Sequence, residues 1–256
     1  MKLTGKIKYC CVLAVMALSA MGGGADAWAR TYTRETLNYQ IVYHWGMIWK
    51  HAGRATLTLH RSGDRCNSTL ACRTISWADK IFKVRDTLSC SFSNSTLRPT
   101  IYRKNAYEGK NVCLDRVTYT YSGNNVHADC RHERRGKKVK EVSFDATAPA
   151  FDMLSIFYYL RTLNYDKMAA NATKTVTVFS GHRKEQLKIR YVGVENIELR
   201  DKTKHKAFHI KFSFTQDGKK KSSDDLDTWI SMNNARIPLM LKGKLPIGEV
   251  RCYYKE

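Results

Sequence analysis

The amino-acid sequence predicts a mainly β fold: a rolled or barrel-like antiparallel sheet with one central apolar helix at about 149–163. Three observations predict it. Apolar residues recur at every second position through most of the chain, Gly, Asn, Asp or Pro separates those runs, and a single segment breaks the alternation.

The chain opens with "MKLTGKIKYCCVLAVMALSAMGGGADA", which has early lysines, an apolar run from Cys10 to Met21, and the ending Ala25-Asp26-Ala27. That is the anatomy of a secretory signal with a small-residue cleavage site. The apolar run is too short to span a bilayer, and no later segment is apolar enough to do so. Residues 1–27 therefore read as a signal peptide and 28–256 as a single rolled-β domain, periplasmic and not membrane-spanning.

The strands follow in order. "LNYQIVYHW" places Leu37, Tyr39, Ile41, Tyr43 and Trp45 on one face, and "GRATLTLHR" does the same with Ala55, Leu57 and Leu59. "FKVRDTLSCSF" alternates through Phe82, Val84, Leu88, Cys90 and Phe92. "RVTYTYS" and "NVHADCR" flank a Gly-Asn-Asn turn and read as a hairpin. Beyond the helix come "KTVTVFS", "EQLKIRYVG", "VENIELR", "KAFHIKFSFT", "LDTWISM", "IPLMLKGKL" and "GEVRCYYK". So many short strands, with no Gly, Ser or Pro linker between them, suggest one sheet that curls on itself.

The exception is "FDMLSIFYYLRTL". Thr147 suits the N-cap, Pro149 the first turn, and Asp152 the positive end of the helix dipole. Apolar residues on all faces predict a helix buried on most sides, a plug in the mouth of the roll. Arg161 lies half a turn out of phase with Asp152, so its partner must come from another element. Asp227, Glu195 and Glu198 are the candidates, unless Arg161 emerges at a rim.

Forty-four Lys and Arg against 23 Asp and Glu give a net charge of +21. Loss of Lys2, Lys6, Lys8 and Asp26 with the signal leaves +19. The excess concentrates at 131–140, 200–206 and 217–223, either as solvated hairpin tips or as a field that attracts polyanions. Export argues against nucleic acid. It points to anionic lipid, lipopolysaccharide or acidic polysaccharide, or to another envelope protein.

Six cysteines remain after the signal, and an even number in an exported chain suggests disulfides. The candidate pairs are Cys66 with Cys72 across a short loop and Cys113 with Cys130 across the hairpin. That leaves Cys90 with Cys252.

Signatures of catalysis are missing: no G-x-S-x-G, no H-E-x-x-H and no phosphate-binding glycine loop. His205 and His209 share a strand face but stand roughly 13 Å apart, too far for one metal. "CRH" at 130–132 is the closest approach of Cys to His, and Asp224, Asp225 and Asp227 lack the spacing of a calcium loop. No metal, cofactor or catalytic residue is assigned. Trp45, Trp49 and Trp229 read as core residues or as the lining of a groove for a sugar ring or acyl chain. With Tyr158, Arg161 and Asp227 they form the candidate ligand-binding set.

Three stretches carry a family resemblance: "ETLNYQIVYHWGMIWKHAGRATLTL", "FDMLSIFYYLR" and "LDTWISMNNARIPLMLKGKLPIGEVRCYY". Together they resemble domain-of-unknown-function family 3108, found in exported envelope proteins of Gram-negative bacteria, often Bacteroides relatives. Asn233-Asn234 stands where many relatives have Asp, which a turn accepts. The resemblance implies a rolled or spiral β structure with one central helix in a periplasmic protein. It supplies no catalytic residues. The expected function is a non-enzymatic periplasmic binding or envelope-assembly protein holding an amphipathic or anionic lipid or glycan. One alternative is an interaction module docking onto another envelope protein. The other is a glycan hydrolase using Asp152 and Asp227 as acid and base.

Overall fold

The computed structural model describes residues 33–216, 220–221, 226–245 and 248–256. The predicted signal peptide, Asp224 and Asp225, and most of the basic run at 217–223 lie outside the described residues.

The alternation holds in three dimensions. The chain forms β1 (Arg34–Trp45), β2 (Ile48–Ser62), β3 (Arg65–Thr74), α1 (Ser76–Phe82), β4 (Val84–Ser93), β5 (Pro99–Glu108), β6 (Asn111–Ser122), β7 (Asn125–Arg134), β8 (Lys140–Thr147) and β9 (Ala150–Asp152). After these come α2 (Ser155–Arg161), β10 (Thr173–Phe179), β11 (Lys184–Glu198), β12 (Lys204–Gln216), β13 (Lys220–Lys221), β14 (Leu226–Ser231), β15 (Pro238–Lys244) and β16 (Glu249–Lys255). All sixteen strands belong to one sheet, which runs from β8 back to β1, across to β16, and on through β15, β14, β12, β11 and β10 to β9. Neighbours are antiparallel except β9 and β10. On β7 every second residue from Val126 to His132 is buried, as half-buried strands require.

The sheet curls into a nearly closed barrel. The two ends of the sheet approach each other where the Phe144 ring of edge strand β8 stands 6.3 Å from Phe179 of β10, next to edge strand β9, and the Lys184 ammonium of β11 donates to the Asp145 carbonyl at 3.1 Å. Among the described residues no helix is long and apolar enough to cross a membrane.

The plug is present but shorter than predicted. Residues 150–152 are a strand, and only Ser155–Arg161 is helical. Thr147 ends β8 and caps nothing. Asp152 acts from ahead of the helix: its Oδ1 accepts from the backbone N–H groups of Leu154 and Ser155, both at 2.7 Å. All seven helical residues are buried. Tyr159 stacks on Phe151 and Tyr158 lies against Phe92, with the Tyr158 hydroxyl 2.6 Å from the Ser68 hydroxyl. Beside the plug, Tyr39, Leu57, Phe157 and Leu241 border an apolar cavity of about 20 Å³, room for about one water.

The proposed disulfides are not formed: the six described cysteines carry no S–S bond. Cys66 and Cys72 sit on one extended strand, β3, about 20 Å apart at its rise per residue. Across the β6–β7 hairpin Cys130 faces Val117, while Cys113 faces Arg134. Cys90 on β4 and Cys252 on β16 are separated in the sheet by β3, β2 and β1. Burial pushes the thiols of Cys130 and Cys252 up to about 12, so they behave as small apolar side chains.

Candidate functional site

The six candidate ligand residues fall in three places. Arg161 and Tyr158 belong to the plug. Arg161 does not meet Asp227, Glu195 or Glu198. Its guanidinium donates to both carboxylate oxygens of Glu35, at 2.6 and 2.7 Å, and to the Ala235 carbonyl at 2.8 Å. The fork matches the carboxylate, so this pair is an anchor between helix and wall.

Trp229 and Asp227 lie on the outer face of β14, where a second apolar cluster includes Val42, Ile197, Met240 and Tyr253. Trp229 stacks on the His209 ring at 4.5 Å, and its indole N–H donates to Glu195 at 2.8 Å. His209 bridges two acids, Nδ1 to Glu195 and Nε2 to Asp227, each at 2.7 Å. Burial pushes the Asp227 carboxyl up, but bonds and charge from His209 and Lys211 outweigh it and hold it below the usual range. Asp152, by contrast, is buried inside under α2. The wall of the sheet separates the two acids, so the proposed hydrolase pair is not assembled.

Trp45 and Trp49 correct the core expectation. Both sit at the exposed tip of the β1–β2 hairpin. Strand direction places this tip at the barrel end that also carries α1, the β5–β6 turn and the 180–183 loop between β10 and β11. Met47 is 98% exposed, Ile81 77% and Trp45 55%, and Ile48, Trp49 and Tyr107 are exposed beside them. Lys50, Lys80, Lys83 and Lys110 stand exposed on the same end. The Lys50 ammonium lies 4.3 Å from the Trp77 ring and the Arg251 guanidinium 4.4 Å from Trp49. This end therefore presents an exposed apolar rim interleaved with cations.

Polar side chains line the inner wall at this same end. Leu88, Lys104, Asp115 and His132 form one cross-strand row, and Asp86, Ala106 and Cys113 the next. Glu108 lies close to Asp86, and burial together with the Asp86 charge pushes it up to about 7. His132 Nδ1 lies 2.5 Å from Asp115 Oδ1, and the Cys113 thiol is 3.7 Å from both His132 Nδ1 and Asp115 Oδ2. His182 packs its ring on His132 at 4.0 Å, and burial and the neighbouring His132 pull it down to about 4. Sequence reading missed this group. The usable signal was Cys113 and Asp115 alternating on one strand opposite a histidine beyond the turn.

Gly181 makes room for the group. It has a φ of +69°, and a Cβ there would stand 2.5 Å from the Asp115 carboxyl carbon. Gly181→Ala is expected to lower stability by about 1–2 kcal/mol from the left-handed backbone, and more from displacing Asp115. A urea denaturation midpoint unchanged from the parent protein would contradict this.

The model of a family described as "Protein of unknown function (DUF3108)" matches residues 38–255. Among solved structures, the chain resembles a β-barrel-like protein of domain of unknown function DUF1849 from Brucella abortus. The TM-score is 0.59 at 9% identity, covering 86% of this chain and 95% of that one. At that identity the likeness concerns the fold alone. No curated protein matches the chain.

Proposed function

The chain belongs to the DUF3108 family, and from that premise we propose a non-enzymatic, exported envelope protein that binds anionic lipid through one end of its barrel. Its place is the periplasm, after removal of a signal near Ala27. The apolar cavity beside the plug, at about 20 Å³, accommodates no acyl chain, so the reading turns to the surface. The observation that carries it is the clustering of Trp45, Met47, Ile48, Trp49 and Ile81 beside exposed lysines at one end. Moving a large apolar side chain out of water contributes about 1.5–3 kcal/mol. Each cation near an anionic surface adds about 1 kcal/mol. A few such contacts suffice for reversible docking.

The test is co-sedimentation of the mature protein with vesicles of phosphatidylglycerol or of phosphatidylcholine. Binding is expected to the anionic vesicles only, to weaken as salt rises, and to blue-shift tryptophan emission. Trp45→Ser/Met47→Ser/Ile48→Ser alters exposed side chains alone and is expected to weaken binding at least about tenfold, since about 1.4 kcal/mol suffices for that factor. Absence of vesicle binding, or equal binding by the triple variant, sinks the reading.

A further inference from the structure

We propose that Cys113, Asp115 and His132 form a binding site for a zinc-class divalent cation on the inner wall of the barrel end. One ligand atom from each residue lies within 4.8 Å of the others. Tetrahedral zinc holds sulfur at about 2.3 Å and nitrogen or oxygen at about 2.0–2.2 Å, which sets donors roughly 3.3–3.7 Å apart. The sulfur already stands 3.7 Å from both partners. Asp115 and His132 are closer, at 2.5 Å, as a hydrogen-bonded pair; when the cation binds, His132 carries its one ring proton on Nε2, by exchange with solvent, and turns the Nδ1 lone pair to the metal.

The donor set selects the metal. A thiolate, an imidazole and a carboxylate suit zinc and exclude magnesium and calcium, which take oxygen ligands. Binding breaks the Cys113 S–H bond and forms a metal–sulfur bond, with the proton leaving to solvent. The two anionic ligands then balance the divalent charge. Asp115 and His132 are buried while Cys113 is half-buried, so the site is shielded yet reachable. Gly181 leaves open the space beside the Asp115 carboxylate that any larger residue's Cβ would fill. His182 packs its ring against His132 beside the trio, with centroids 4.0 Å apart.

The competing chemistry is a cysteine nucleophile activated by histidine. It requires the base to face sulfur with one nitrogen and the acid with the other. Here Nδ1 of His132 faces both. Asp115 turns Oδ1 toward His132 and Oδ2 toward Cys113, so three ligand-type side chains face one small space.

The experiment uses full mature protein, reduced and stripped with chelator, titrated with cobalt(II) and then with zinc against a chromogenic competitor. One ion per chain is expected, with thiolate-to-cobalt charge-transfer absorption. Cys113→Ser is expected to lose that absorption and, like His132→Gln, to bind zinc at least about tenfold more weakly, the lower bound for disturbing a metal's surroundings. Circular dichroism of the metal-free variants checks that they fold. Should Cys113→Ser unfold, native protein with Cys113 alkylated replaces it. No charge-transfer absorption in protein whose Cys113 titrates as a thiol overturns the site. So does zinc affinity unchanged in the variants, which would assign the ion to surface histidines.

Discussion

Glu35→Ala is expected to lower the stability of the fold by about 3–5 kcal/mol, the cost of stranding a buried charge. The Arg161 side chain is wholly buried and that of Glu35 is 12% exposed. With the carboxylate gone, the guanidinium loses its charge partner and keeps the Ala235 carbonyl, contacted through Nε and Nη2. The loss is a large share of a typical domain's 5–15 kcal/mol. The pair also joins three distant parts of the chain: the start of β1, the end of α2 and the turn after β14. Glu35→Leu with Arg161→Met removes both charges and is expected to fall within about 1 kcal/mol of the parent, since apolar replacement of a buried pair is often neutral or better. Urea denaturation of the three proteins decides it. A loss below about 1 kcal/mol in Glu35→Ala means that water reaches Arg161.

Much of this barrel was legible, because alternation is local. A strand such as "NVHADCR" declares its buried face with no knowledge of its neighbours. The plug was legible for the same reason: apolar residues on every side of α2 leave no face for solvent. What failed was everything that depends on register or on long loops closed in space. Placing Asn111 opposite Glu108, or Cys113 opposite Arg134, requires the turn to be positioned to the residue. The Gly-Asn-Asn turn was read correctly, but counting out from it sets Cys113 against Arg134, not Cys130. Centred on Gly123 and Asn124, the same hairpin sets Asp115 against His132, and the metal-ligand trio becomes visible. Arg161 with Glu35 spans 126 positions, beyond any pattern argument. Trp45 and Trp49 read from sequence as core or groove lining, since alternation carries no information about where a strand runs past the sheet. Exposure at a hairpin tip is decided by strand length.

Asp152 and Glu108 together should make the protein lose stability as pH rises from about 4 to 7. Burial raises Asp152 from 3.8 to about 6, against the pull of the Ser155 and Leu154 N–H groups. Burial and the Asp86 charge raise Glu108 from 4.5 to about 7. Below the unfolded values both forms of the protein hold these protons and the full stability is present. Above them the unfolded chain ionises freely while the folded one resists. Stability is then lost until the folded values are passed. At about 1.4 kcal/mol per pH unit, each group costs roughly 2–3 kcal/mol at neutral pH. His182 acts in the opposite sense: held neutral down to about 4, it favours unfolding as pH falls below 6.5. The comparison must therefore be variant against parent across the series. Asp152→Asn keeps an oxygen for the Leu154 and Ser155 N–H groups, and it should remove the pH 4–6 part of the slope. Glu108→Gln should remove the part between 5 and 7. Urea midpoints measured at half-unit steps give both slopes. If Asp152→Asn runs parallel to the parent from pH 4 to 6, the carboxyl beneath α2 is reached by water and the plug does not seal its end of the helix.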